Sequence, residues 1–180
     1  MPPPEADDQP PPSTTTPCDI APIDVHFDLA CDIITSDQFA ILGRLTDRVL
    51  GLLPNTGSVR VRIVDDAEMI LAHARFCDQE TTTDVLTFDL ASGSTDFNTK
   101  VLDTDLIICA DEAQRQSRER GHPIAHELLL YILHGVLHCL GYDDHDEREY
   151  ERMHAREDEL LRAAGVGAVF SDPSDEEARS

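Results

Sequence analysis

The stretch HGVLHCLGYDDHD, residues 134 to 146, decides how the chain is read. His134 and His138 stand four apart in an apolar run (Leu129, Leu130, Ile132, Leu133, Val136, Leu137) that has the pattern of a buried helix. Four residues along a helix put two side chains on one face about a turn apart. Two imidazole nitrogens can then reach one ion at about 2 Å from each, as zinc favours. Two buried imidazoles without partners would be costly, which weighs against a chance surface pair. Gly141 ends the helix, and a short loop can swing a third ligand, His145, back to the ion. Three protein ligands leave one position for water, the arrangement of a catalytic zinc rather than a structural one. Gly135 stands where zinc peptidases with a similar histidine pair carry their glutamate base.

Outward from that helix, the periodicity changes in a regular way. IDVHFDLA, from Ile23, alternates as a strand, and Ser36 then opens a helix with Phe39, Leu42, Leu45 and Val49 at helical spacing. SVRVRIV, from Ser58, is a second strand, with Arg60 and Arg62 on its open side. A helix capped by Asp65 follows, then the strands DVLTFDL and DLIICA (from Asp84 and Asp105) across a Gly-containing loop. Asp111 opens a helix ending at Gly121, Pro123 starts the histidine helix, and Glu147 starts the last one. This order predicts an α+β fold: a small mixed four-stranded sheet packed with helices, the metal site on a central helix and the loop after it. Residues 1–17, rich in Pro, Asp and Thr, are expected to be a disordered head, residues 18–168 one folded domain, and residues 169–180 a disordered acidic tail.

The formal net charge of -22 is extreme for 180 residues, and the two ends contribute only a small part of it. Such a surface repels nucleic acid on average, which argues against broad non-specific RNA or DNA binding and leaves room only for a local arginine cleft. Five cysteines, odd in number and without a CxxC pair, read as reduced thiols rather than a disulfide framework. No apolar run approaches bilayer-spanning length, and the head lacks the basic and apolar segments of a secretory signal. A cytoplasmic protein with no membrane partner is expected.

HGVLHCLGYDDH is similar to the HGxLHLxGYDH signature of the YbeY family of bacterial endoribonucleases, which mature ribosomal RNA. TTTDVLTFD, from Thr81, resembles the family's threonine-aspartate-valine strand, and DTDLIICADEAQRQSRERG, from Asp103, the strand and helix after it. Glu127, Met153 and Glu157 fall at the family's flanking positions, so the likeness runs from about residue 22 to 164. One residue departs: Asp144 intervenes before the third histidine. Either the loop bulges and His145 binds, the preferred alternative, or Asp144 is the third ligand through oxygen. Asp143 is expected to orient an imidazole through its other nitrogen.

The resemblance implies one Zn2+ ion and metal-dependent cleavage of single-stranded RNA, in maturation of the 16S rRNA 3' end and in ribosome quality control. It also implies ribosomal subunits or ribosomal proteins as partners, and no DNA. A metal can lower the pKa of its bound water to about 7, so the missing glutamate is not fatal to hydrolysis. Phosphodiester cleavage places extra negative charge on phosphate oxygens, where an arginine helps more than a carboxylate. The family's functional arginine precedes its threonine-aspartate strand, and Arg75 is the candidate here, farther from Asp84 than the family pattern. Arg75 and His134 are therefore the expected catalytic residues. The alternatives are a metzincin-like zinc peptidase, which Gly135 argues against, and a non-catalytic, metal-stabilised factor of the ribosome. A basic cleft around the histidines would favour the nuclease, and an acidic one the binding factor.

Overall fold

Strict alternation in two strands sets the sheet. In β2 (Thr56–Val64) the side chains of Val59, Val61 and Ile63 are buried, and in β4 (Val101–Cys109) those of Leu102, Thr104, Leu106 and Ile108. The parallel register pairs Val59 with Thr104, Val61 with Leu106 and Ile63 with Ile108, so these side chains share one face. β1 (Ile23–Leu29) lies parallel to β2 at one edge, and β3 (Val85–Asp89) antiparallel to β4 at the other, giving the order β1-β2-β4-β3. The computed structural model describes residues 23–93 and 96–167. The expected disordered head 1–17, the tail 169–180 and Cys18 lie outside the described residues, which form four strands and five helices, the α+β arrangement expected.

β4 starts at Val101, before the expected Asp105, because its aspartates do not interrupt it. Asp103 and Asp105 point to the opposite face, where Arg60 of β2 bonds both, at 2.6 Å from Nη2 to Asp103. Arg62 likewise pairs with Asp28 and, at 2.9 Å through Nε, with Glu68. These two arginines, on the open side of the strand, are engaged by carboxylates of the protein itself.

α1 (Ser36–Leu50) is capped by Thr35 rather than Ser36: the Thr35 hydroxyl accepts from the Gln38 amide, and Gln38 accepts from the Thr35 amide. α2 (Asp66–Cys77) has the expected Asp65 cap. It packs on the arginine-bearing face through Met69, against Val64, Leu86 and Cys109. α3 (Ala110–Arg120) begins one residue before Asp111, with Cys109 at its cap. α4 (Ile124–Cys139) and α5 (Glu147–Ala163) join α1 over the other face. No helix among the described residues is long and apolar enough to cross a membrane.

α4 is the centre of this packing, touching α1, α3, α5, β3 and β4. It comes so close to the sheet that a Cβ at Gly135 would lie 2.7 Å from Leu106 Cδ2 and 2.8 Å from Thr87 Oγ1. Its C-terminal end is tied down by Lys100, the single lysine of the chain, whose ammonium donates to the Cys139 carbonyl and to Asp89 at the end of β3.

Two stability predictions follow from these contacts. Gly135→Ala should destabilise the chain, because overpacking costs about 1–3 kcal/mol while the helix gains at most ~1 kcal/mol from alanine. Gly135→Glu should be much worse; urea unfolding of both variants checks the order. Asp66, at the start of α2, takes hydrogen bonds from Arg115 at 2.7 and 2.9 Å, which hold its carboxyl down to about 2. A depressed carboxylate stabilises the fold above its unfolded value near 3.8 and stops doing so as pH falls toward 2. Asp66→Asn should therefore be less stable than the parent at pH 6 and converge with it near pH 2, in a melting series over that range.

Candidate metal centre

Within α4 only His126, His134 and His138 escape full burial, so the histidine pair forms part of the one strip of this helix that faces outward. The Nε2 atoms of His134 and His138 lie 3.0 Å apart, with the rings nearly perpendicular at 88°. Each ring is held from behind. His134 Nδ1 lies 2.9 Å from Glu157 Oε1, a carboxylate of α5 with no solvent exposure, and His138 Nδ1 lies 3.1 Å from the Tyr142 carbonyl.

Both of those partners accept hydrogen bonds, so both Nδ1 atoms carry the proton in the neutral rings. Two Nε2 lone pairs then converge with no donor between them. Asp144 adds a third electron-rich atom: its Oδ2 is 3.8 Å from each Nε2. Such a convergence calls for a cation, a proton or a metal, and His134, His138 and Asp144 form a possible metal-binding group. Burial opposes protonation of His134, but the hydrogen bond and charge of Glu157, with Asp84 and Asp144, outweigh it and raise its pKa.

The loop after Gly141 (φ 95°) brings Asp144, not His145, beside the pair. The His145 side chain is 85 % exposed and hydrogen-bonded through Nδ1 to Asp143. Asp143 also takes the amides of Asp144 at 2.8 Å and His145 at 3.3 Å, so it shapes the loop as well as holding that imidazole. Asp143, Asp144 and His145 form a second, more exposed group of potential ligands. Arg75 sits in the last turn of α2 with its guanidinium 5.3 Å from the centre of the Phe76 ring. Its neighbours Phe76 and Cys77, rather than Arg75 itself, line a groove shared with the two histidines.

On the other side of His134 opens a cavity of about 500 Å³. The charged residues along its wall are Asp84, Glu112, Glu127 and Asp144 against Arg120, so the surroundings of the histidines are not basic. Fully buried Glu127 is met by Arg120 at 3.2 Å and His122 at 2.9 Å. Sequence reasoning passed over His154, which lines this cavity and places Nδ1 2.6 Å from the second oxygen of Glu157. It also missed that Glu157 joins two imidazoles. The signal was present: Glu157 is an acid on the apolar stripe of α5 formed by Met153, Leu160 and Leu161. A glutamate at position 135 would force the side chains of Leu106 and Thr87 aside.

The family model described as Endoribonuclease YbeY matches residues 38–165 of this chain. Among similar proteins, the endoribonuclease YbeY of Macrococcus caseolyticus is 39% identical over 112 residues, 60% of this chain and 72% of the relative. That of Gloeobacter violaceus is 35% identical over 133 residues, 71% and 68% of the two chains. The solution structure of TM1509 from Thermotoga maritima is also similar, with 23% identity, a TM-score of 0.48, and coverage of 83% of this chain and 97% of that one.

The two loop residues are separable by experiment. Asp144→Ala should weaken binding of a divalent ion by more than the ~10–100-fold that loss of an outer-sphere partner brings, whereas His145→Ala should leave it within about twofold. Metal titration of the two variants against the parent decides between them, and the reverse order would make His145 the ligand.

Proposed function

The chain belongs to the YbeY endoribonuclease family, and from that premise we propose that it cuts single-stranded ribosomal RNA at a zinc centre built on His134 and His138. It is an endoribonuclease with a role in rRNA maturation, a hydrolase acting on RNA phosphodiester bonds. The substrate is the 3' end of 16S rRNA, met on the ribosomal subunit in the cytoplasm, and the catalytic unit is residues 18–168. The reading leans on one observation: two imidazole Nε2 atoms and a carboxylate oxygen converge while both Nδ1 atoms are already hydrogen-bonded.

The donor set of two histidines and one carboxylate fits zinc, with His145 as the alternative third ligand. When bound, a divalent ion polarises phosphate oxygens and acidifies water. The rest of the task falls to the chain. Glu157 holds the His134 ring by its Nδ1–H, and the Tyr142 carbonyl does the same for His138, so that both Nε2 lone pairs point at one place. The ends of α4 and β3, pinned by Lys100, keep that place next to the groove along β3. Arg75 supplies positive charge to the phosphate as negative charge grows on its oxygens. It makes no ion pair among the described residues and lies at the end of α2 beside Phe76, which lines that groove.

Arg75→Ala should keep its metal content and melting temperature but lose about 100-fold or more in RNA cleavage, the usual cost of one charge-stabilising donor. Elemental analysis of the parent should find one zinc ion, and chelation should abolish cleavage. Full activity after chelation would overturn the metal centre, and full activity of Arg75→Ala would remove that residue from the chemistry.

A further inference from the structure

Given the nuclease reading, on which this rests, we propose that Phe76 and Phe88 form a stacking platform for one unpaired base of the RNA beside the metal centre. The groove in question has a volume of about 380 Å³ and runs along β3, the edge strand. One wall is the end of α2, with Phe76 and Cys77, and the other carries His134 and His138. Phe76 is 51% exposed although it is a large apolar ring, and it meets Phe88 edge to face at 4.8 Å between centroids. Aromatic rings and guanidinium planes are the surfaces on which splayed single-stranded bases stack. Here two aromatic rings line one groove with the histidine pair.

Charge favours this occupant over a backbone-tracking cleft. Among the described residues Arg60, Arg62, Arg115, Arg120, Arg156 and Lys100 all pair with carboxylates of the chain. In the larger cavity on the other side of His134, the carboxylates of Asp84, Glu112, Glu127 and Asp144 outnumber the single Arg120. Binding of a polyanion to a chain of net charge -22 therefore has little to draw on from counter-ion release, and an uncharged contact has to contribute. Bases in a duplex are already stacked and paired, so such a platform also prefers single strands.

The test uses a single-stranded oligoribonucleotide carrying 2-aminopurine, whose fluorescence falls on stacking, mixed rapidly with the zinc-loaded full chain so that binding is read before cutting. The parent should quench the probe. Phe76→Ala should lose the quenching and bind at least about fivefold more weakly, the lower end of what one base–aromatic stack contributes. Phe76→Tyr should restore both. An abasic site in the strand should weaken binding to the unaltered protein by a similar factor, which separates stacking from any damage to the fold. If Phe76→Ala quenches and binds like a parent that cuts RNA, the platform is wrong and the nuclease reading stands. If the parent neither binds nor cuts the strand, both are wrong.

Discussion

Everything near the histidines depends on how closely α4 approaches the sheet. That helix is buried on nearly every side, and at Gly135 its backbone runs against Leu106 and Thr87 with no space for a Cβ. Close packing of this kind leaves few alternative arrangements, because interiors are filled like crystals rather than liquids. The rotation of α4 about its own axis is set by the contact. His134, one residue before Gly135, and His138, three after it, thereby come to line the groove along β3. A glycine that looked like a missing catalytic base is a packing element beside the histidine pair.

A second constraint is electrostatic. The chain handles an anionic polymer while carrying a large negative charge of its own, and its positive side chains are mostly engaged within the protein. Surface ion pairs of this sort contribute little stability, at most about 1 kcal/mol each. Their effect on long-range attraction is larger, since each neutralised arginine is one fewer to steer RNA. The cleft is thus acidic, a feature that taken alone would suit a factor that binds without cutting, whereas family membership makes the chain an enzyme. Recognition here has to be short-range.

Much of this was legible in the sequence, because alternation and helical spacing report burial directly. The mixed four-stranded sheet, the five helices and the four-residue histidine spacing were all visible as patterns. The start of β4 was not, since Asp103 looks like a breaker until Arg60 is known to face it across the strand register. The partners of the histidines were also hidden. Glu157 is 23 residues from His134 in sequence, and nothing in local periodicity says that the two meet. The third ligand is the hardest case: Asp144 and His145 are adjacent, and only the turn after Gly141 decides which of them faces inward. The head, the tail and their boundaries rest on composition alone.

Glu157 reaches His134 from the last helix of the fold, and this has a consequence for the timing of activity. A chain is made from its N-terminus, and structure accumulates behind the point of synthesis. When the histidine motif first leaves the ribosome, its Nδ1 acceptor and the apolar stripe of α5 that covers α4 are still held behind it. A chain interrupted between Asp146 and Glu157 contains every residue of the signature yet lacks the group that aims it. The arrangement around the histidines is thus completed only after the signature itself has been made, while the nascent chain is still tethered to an assembly built of RNA.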